Sequence, residues 1–458
     1  MKEFKIILSV LVLSLILNSC KKYLDLKPDQ SLYIPSNLTD CQALLDDYSK
    51  MNGSYPGDGE AASDHYYLTD ASWSTLPNVE DRDNYIWASQ GNHLTTSWAN
   101  PYAAIFTSNL VLQVLDKITP ASGTEYNSIK GSALFFRSFA LYSAASLFCK
   151  PYDPSSSMRD PGIPVRLSPD IDIIYGRGTV QQTYDRIILD LKNAAQLLPI
   201  SSSLQSRPNK VAAFATLARV YLSMRDYTNA GIYADSCLKK YNTLLNYSSL
   251  STSPRSFFTR FNNEVIFASI INRPPSLAPT IAKVVKTLYD SYDQNDLRKQ
   301  LFFRANVGTN EGTYLFKGSY DGSTNPFNGL ATDEVYLIRS ECYARAGKTQ
   351  EAMKDLNDLL RTRWAVILDV NGNAVSTYTD YIANTADEAL RIILKEREKE
   401  LIFRGIRWTD LRRLNTETKF AITLTRTING TLPPNDLRYT LLIPLDVINT
   451  TSIPQNAR

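Results

Sequence analysis

Two segments of the chain repeat one pattern, and that repetition constrains the fold more than any other feature. Val211–Leu238 reads VAAFATLARVYLSMRDYTNAGIYADSCL, and Val335–Leu360 reads VYLIRSECYARAGKTQEAMKDLNDLL. In each, a helical stretch rich in small residues meets a break, at Arg225-Asp226 or Gly347-Lys348, and a second helical stretch follows. Small residues let two helices approach closely, so each segment is expected to fold as an antiparallel helix hairpin. Placing Ala230 on Ala352 also places Tyr221 on Tyr343, an offset of 122 residues (352 − 230).

The hairpins resemble the tetratricopeptide motif, whose tandem copies repeat at about 34 residues. An offset of 122 argues against a regular tandem array, so the repeats are expected to sit inside a larger helical body. Further helices are predicted over 96–117, 130–149 and 179–198. The first carries Trp98, Tyr102, Ile105, Asn109 and Leu112 at helical spacing, and the second carries Phe135, Phe139, Tyr142 and Ala145. The third opens on Thr179 as an N-cap and stops at Pro199. Pro151, Pro154, Pro161, Pro164 and Pro169 impose an irregular stretch between the last two. Strand patterning is confined to 264–271 and, more weakly, 439–444. The expected class is mainly α, with tetratricopeptide-like hairpins packed against an irregular loop-rich region and a few short strands. Length alone, 458 residues at about 150 per domain, suggests two or three domains. Because the repeats bracket the loops, regions 20–230 and 231–458 are instead expected to pack as one compact unit behind a leader at 1–19.

That leader has a basic start, with Lys2 and Lys5, and an apolar run from Ile6 to Leu17. Twelve residues as a helix reach about 18 Å, short of the roughly 20 residues that a bilayer crossing needs. A short apolar segment behind a basic start is the pattern of a secretory signal peptide. It ends Leu17-Asn18-Ser19-Cys20, which resembles the lipobox of bacterial lipoproteins. That resemblance implies cleavage before Cys20 and lipidation of its thiol. Stable anchoring takes more than one acyl chain, and the mature chain would be tethered with no membrane-spanning helix. Cys41, Cys149, Cys237 and Cys342 remain, widely spaced and without CxxC pairing, and are expected as buried free thiols.

Composition removes several function classes. Lys+Arg 49 against Asp+Glu 46 leaves +3, which is no electrostatic footprint for a nucleic-acid binder. His65 and His93 are the only histidines, and neither has a partner at metal-ligand spacing, so both are expected as solvent-exposed loop residues. Gly53, Gly57 and Gly59, and again Gly308 and Gly312, lack the ending and frame of a phosphate loop. Glu396 and Glu400 lie one helical turn apart, as a general acid and base might, but five arginines crowd the same segment. Such neighbours favour permanent ionisation, so an ion-paired structural network is expected, with Glu400 and Arg404 spaced as an i,i+4 pair. No cofactor is expected, and no loop carboxylates show the spacing of a calcium loop.

The order of motifs along the chain resembles the SusD/RagB family of outer-membrane lipoproteins. The resemblance rests on Ser19-Cys20-Lys21-Lys22-Tyr23-Leu24-Asp25, on Trp98 with Tyr102, Ile105 and Asn109, and on Ala133–Phe148 leading into Pro161-Gly162-Ile163-Pro164. It continues through 179–199, 210–226 and 334–363, and ends on Glu396-Arg397-Glu398-Lys399-Glu400-Leu401, Gly405, Arg407-Trp408, Asp410-Leu411 and Arg412-Arg413. Arg404 and Ile406 depart from the family's usual residues there. The resemblance implies a surface-exposed, lipid-anchored, non-enzymatic protein. It would capture an oligosaccharide and deliver it as a lid to a SusC-like TonB-dependent transporter.

Sugar rings have apolar faces that stack on Trp and Tyr, and rigid aromatic side chains supply contact area at small entropic cost. Trp98, Trp364 and Trp408 sit in helical or motif positions and are expected in the core. Trp73 and Trp87 instead lie in the polar segment 58–92, among Tyr66, Tyr67, Asp83 and Tyr85. Loops held by a scaffold commonly carry binding function. Loops 289–298, with Tyr292, and 314–327, with Tyr314, complete the expected ligand-binding set. The competing readings are the same lid role for peptides, a scaffold of tetratricopeptide type that binds only proteins, and a surface glycoside hydrolase.

Overall fold

In a computed structural model of the chain, residues 35–251, 258–428 and 430–458 are described. The leader and Cys20 lie outside the described residues. Seventeen helices and ten short strands occur among those residues, and none of the helices is long and apolar enough to cross a membrane.

The helical body is a row. Helices α3 (Thr95–Leu115), α4 (Thr124–Phe148), α5 (Val180–Leu197), α6 (Lys210–Ser223) and α7 (Tyr227–Leu238) each pack on the next, following α1 (Asp70–Ser74) and α2 (Val79–Tyr85) in the chain. Local chemistry sets the ends. Thr179 accepts from the Gln182 amide while the Gln182 side chain accepts from the Thr179 amide, a reciprocal cap that starts α5. Asn209 and Asp226 cap α6 and α7.

The row then skips 93 residues (331 − 238) and resumes with α8 (Thr332–Arg345), α9 (Thr349–Arg361) and α10 (Ala386–Glu400). Helix α7 packs directly on α8, so the two hairpins, distant in sequence, are neighbours in space. A Cβ on Gly231 would come within 3.1 Å of the Cys342 Cβ, so the approach of α7 to α8 depends on glycine there. The hairpins also turn identically. Arg225 and Gly347 both take left-handed backbone (φ 63° and 76°), and Asp226 N donates to Tyr221 O as Lys348 N donates to Tyr343 O. The sequence offset is thus a structural one. The helices form a continuous stack with one large excursion, a closer approach to a solenoid than the spacing suggested.

That excursion, 239–331, holds five of the ten strands. Strand β1 (Tyr66–Tyr67) pairs antiparallel with β3 (Lys283–Val284), and β4 (Phe303–Ala305) with β5 (Tyr314–Phe316). Strand β2 (Val265–Phe267) pairs with β6 (Leu330–Ala331) just before α8. The predicted strand over 264–271 is therefore real but short: a register shift inside β2 breaks the ladder, leaving isolated bridges at Ile270 and Ile271. Segment 439–444 is no strand. Residues 437–439 form a 3-10 turn, and Leu441 N donates instead to Leu147 O, tying the segment to the end of α4. Two hairpins complete the set, β7 (Val366–Leu368) with β8 (Ala374–Ser376) and β9 (Leu424–Arg426) with β10 (Gly430–Leu432). The large apolar core lies along the helical row, a second lies under the excursion, and a third lies among α8, α9 and α10. Cys41, Cys149, Cys237 and Cys342 are buried free thiols, and burial pushes each thiol up.

A buried lattice of ions joins these layers. Arg298 donates to Asp296, Glu396 and Glu400 (2.7, 2.6 and 3.0 Å), and Arg363 pairs with Glu400 and Glu264 (2.8 and 2.7 Å). Lys399 pairs with Glu396, and Arg397 and Arg413 with Asp410 in α11 (Arg407–Leu414). Burial alone would raise Glu396 and Glu400, but Arg298, Arg363 and Lys399 hold both below the usual carboxylate range. Glu400 does not pair with Arg404 as expected. Helix α10 ends at Glu400, so the i,i+4 geometry is absent, and Arg404 turns to Asp333 at 3.0 Å.

Two members titrate in opposite directions. Burial pushes Glu264 up to about 7 despite Arg363. Asp410, which burial would raise, is carried down to about 2 by Arg397 and Arg413. The folded Glu264 keeps a proton that the unfolded chain has lost, so its contribution to stability falls as pH rises from about 4.3 toward 7. The Asp410 contribution is complete above about 4 and lost toward 2. Thermal melts across pH should show Glu264→Gln abolishing the decline between pH 5 and 7.5, and Asp410→Asn flattening the acid limb.

Candidate ligand-binding face

The segment 58–92 closes over the second core, and most of its aromatic side chains face inward. Tyr66 is fully buried, its hydroxyl donating to Ala61 O (2.7 Å) and accepting from Ser276 Oγ (3.0 Å). Tyr85 is fully buried, its hydroxyl accepting from Leu68 N at 2.7 Å. Trp87, 5% exposed, donates from Nε1 to Ala62 O at 2.9 Å. Tyr292, also buried, donates to Lys399 O at 2.8 Å. These four expected ligand contacts are corrected to structural roles: their rings have no free face for a sugar, and their polar ends are already bonded.

The residue that gathers three of them is Arg426 on β9, which no motif or spacing in the chain singles out. Its guanidinium lies over the rings of Tyr66, Tyr85 and Trp87 at 5.1, 4.1 and 4.9 Å. It donates to the carbonyls of Tyr85, Tyr66 and Ser63. One cation from the far end of the chain thus pins the whole segment. Trp87→Ala is expected to cost about 3–5 kcal/mol in urea unfolding, as a core truncation does. Arg426→Met should destabilise as well, by orphaning the carbonyls it serves.

The other four expected residues stay half-exposed. Trp73 on α1 donates from Nε1 to Arg82 O at 3.1 Å, which fixes the indole on the second core with its outer side open. Tyr67 lies on β1 opposite Lys283. Tyr314 stacks on Tyr289, centroids 3.4 Å apart and planes 13° from parallel, with Lys299 over the Tyr289 ring at 4.8 Å. Burial together with the Tyr314 hydroxyl pushes Tyr289 up to about 12. Period-2 alternation puts Tyr314 and Phe316 on one face of β5 and buries Leu315 on the other. Asp83 is half-buried beside Gly91, and burial raises its carboxyl. Strand β3 packs on β5, joining the two small sheets. Beside β5 opens a small pocket lined by Leu277, Val284, Phe316 and Phe403, with Arg273 and Ser319 among its polar lining. An apolar floor, stacked aromatics and a polar rim suit a ligand that has both flat apolar faces and hydroxyls.

Both histidines depart from expectation. His65 and His93 are buried, with Nδ1 at 3.4 Å from Glu60 and 3.6 Å from Asp58. Ligand atoms of Asp64, His65 and Glu398 lie within 4.8 Å of one another, as a metal site would require. However, Arg407 already bridges Asp64 and Glu398 at 2.7 and 2.9 Å, and its charge occupies the place a cation would take.

Comparison with known proteins agrees with this architecture. Residues 22–222 match a SusD-like family model described as starch-binding and associating with the outer membrane, and residues 302–435 match the SusD family model. SusD-like protein P38 of Formosa agariphila is 21% identical, covering 94% of this chain and 95% of its own. A SusD superfamily protein of Bacteroides thetaiotaomicron superposes with a TM-score of 0.72 at 23% identity, covering 92% of this chain and all of its own (100%). A putative sugar binding protein of Bacteroides vulgatus gives 0.71 at 21%, covering 92% and 99%. Surface glycan-binding protein A of Bacteroides uniformis gives 0.69 at 15%, covering 92% and 98%. With the two family models spanning most of its length, the chain belongs to the SusD/RagB family of non-catalytic, outer-membrane-associated binding proteins.

Proposed function

We propose that the chain is a cell-surface glycan-binding lipoprotein that captures oligosaccharides and passes them to a SusC-like TonB-dependent transporter. The observation that carries this reading is that Trp73, Tyr314 and Phe316 remain half-exposed while packed on the second core. A pyranose ring stacks its C–H face on such rings, while its hydroxyls hydrogen-bond the polar rim. Family membership and the sugar-binding descriptions of several fold relatives support the same ligand class. No bond is made or broken. The protein holds the ligand through stacking and releases it when the transporter opens, and the lipid on Cys20 keeps the binding face near the membrane.

Affinity electrophoresis in gels carrying a polysaccharide panel tests the site. Trp73→Ala and Tyr314→Ala should each lose retardation, corresponding to roughly tenfold weaker binding, with melting temperatures near wild type. Retardation unchanged in both variants would remove the aromatic face from the ligand site. A chain retarded by no polysaccharide but binding peptides would favour the peptide version of the lid role. For the anchor, Cys20→Ser should abolish incorporation of labelled palmitate and move the protein from the outer-membrane fraction to the soluble one. Detergent extracts of the parent strain, captured through this chain, should contain a TonB-dependent β-barrel.

A further inference from the structure

The segment that builds most of the aromatic face is more basic than the rest of the chain. Residues 272–320 hold seven bases and four acids, an excess of three (7 − 4) that equals the net charge of all 458 residues. Two of those acids are already taken, Asp290 by Lys286 at 2.6 Å and Asp296 by Arg298 at 2.7 Å. Asp293 accepts from Asn295 N within its own loop, and Glu311 lies in the outer turn between β4 and β5. Arg273, Lys283, Lys299 and Arg304 form no salt bridge among the described residues. Burial, and after it the charge of Arg304, push Lys317 down, which is the mark of cations crowded together.

Two of these cations stand against the aromatic side chains themselves. Arg273 is exposed and lines the same pocket as Phe316. Its Nη1 donates to the carbonyl of Thr324, another lining residue, at 3.1 Å, which holds the guanidinium at the pocket. The rest of its fork of donors is unspent, and no carboxylate lines that pocket among the described residues. Lys299, half-exposed, lies 4.8 Å from the centre of the Tyr289 ring, on which Tyr314 stacks. Its ammonium gives one N–H to Tyr292 O at 2.8 Å and has two more to give. Tyr314 and Phe316 share one face of β5, two residues and so about 7 Å apart. Aromatic rings flanked by cations that lack carboxylates are complementary to a ligand with C–H faces and anionic groups.

Taking this face as the glycan site, we propose that it selects acidic oligosaccharides, those bearing carboxylate or sulfate groups. The Arg273 guanidinium is the fork that grips the anionic group, and Lys299 supplies a second positive charge beside the stacked rings. Exposed cations of this kind also draw a charged chain in from solution.

Affinity electrophoresis of the mature chain in gels of paired polysaccharides tests it: pectate against methyl-esterified pectin, and iota-carrageenan against its desulfated form. The charged member of at least one pair should bind about tenfold more tightly than its neutral partner. Retardation by pectate alone assigns a carboxylate, by carrageenan alone a sulfate, and by both the shared charge. Raising salt from about 20 to about 200 mM should weaken that retardation, as screening of exposed charges requires. Arg273→Gln should bring the charged member down to the level of the neutral one, and Tyr314→Ala should lose both. Arg159→Gln, which removes an equal charge from an exposed position in the loop after α4, should change nothing. Neutral members that retard the chain as strongly as charged ones, with Tyr314→Ala still abolishing retardation, would overturn the acid preference and leave the face a glycan site. Charged retardation that survives Tyr314→Ala, or that Arg159→Gln reduces as much as Arg273→Gln, would overturn it as ion exchange with the general surface. Retardation by neither charged polysaccharide would overturn it too, whereas retardation by no polysaccharide of any kind would remove the glycan reading with it.

Discussion

Arg298 sits wholly buried among Asp296, Glu396 and Glu400, and the aromatic face depends on that arrangement. A buried ion pair adds little net stability over an apolar replacement, but removing one partner strands a charge in low dielectric at a cost of about 3–5 kcal/mol. The geometry is therefore stiff. Arg298 cannot move without exposing three carboxylates, and α10 cannot turn without stranding Arg298 and Arg363. Tyr292 is tied into the same place through Lys399 O, and the loop 289–298 is held along its length. Tyr289 stands at the start of that loop and carries Tyr314 on its ring. The aromatic face is thus positioned by electrostatics some distance beneath it rather than by its own packing.

The same lattice explains why the carboxylate pair on α10 does not make an enzyme. A general acid needs one carboxyl kept protonated near neutral pH beside one that is ionised. Glu396 and Glu400 are both held down by guanidinium and ammonium groups, so neither keeps a proton to give. Glu264, the member whose carboxyl is raised, is wholly buried and sealed between Arg363 and Tyr320.

Helical periodicity, caps and the paired hairpins were legible in the sequence because each is local: Thr179 and Gln182 satisfy each other within one turn, and Arg225 and Gly347 bend the chain where the pattern breaks. The site was legible only in part. Trp73 and Trp87 read alike, as tryptophans in a polar segment, and one lies half-open while the other is sealed. What separates them is Arg426, more than three hundred residues away, whose guanidinium covers Trp87 and leaves Trp73 alone. No local pattern announces a partner at that distance. His65 and His93 misled for the same reason, since their polar surroundings in sequence come to lie under Phe403, Glu60 and Asp58 in space.

The excursion between the hairpins leaves the helical stack and returns to it at nearly the same point: Thr332, where α8 begins, donates from its hydroxyl to Thr243 O, near where the excursion departs. Closing a loop between fixed ends costs only slightly more as the loop grows, about 0.6 kcal/mol for each doubling of its length. The length of the excursion therefore costs the stack little, provided that Glu264, Asp296 and Arg298 stay in place to keep Arg363, Glu396 and Glu400 paired. Insertions or deletions in the turn between β4 and β5, at 306–313, would reshape the surface beside Tyr314 while Gly231 still met Cys342. A scaffold whose ends stay clamped and whose buried charges stay paired can vary its outer turns and acquire new ligand preferences without first having to be restabilised.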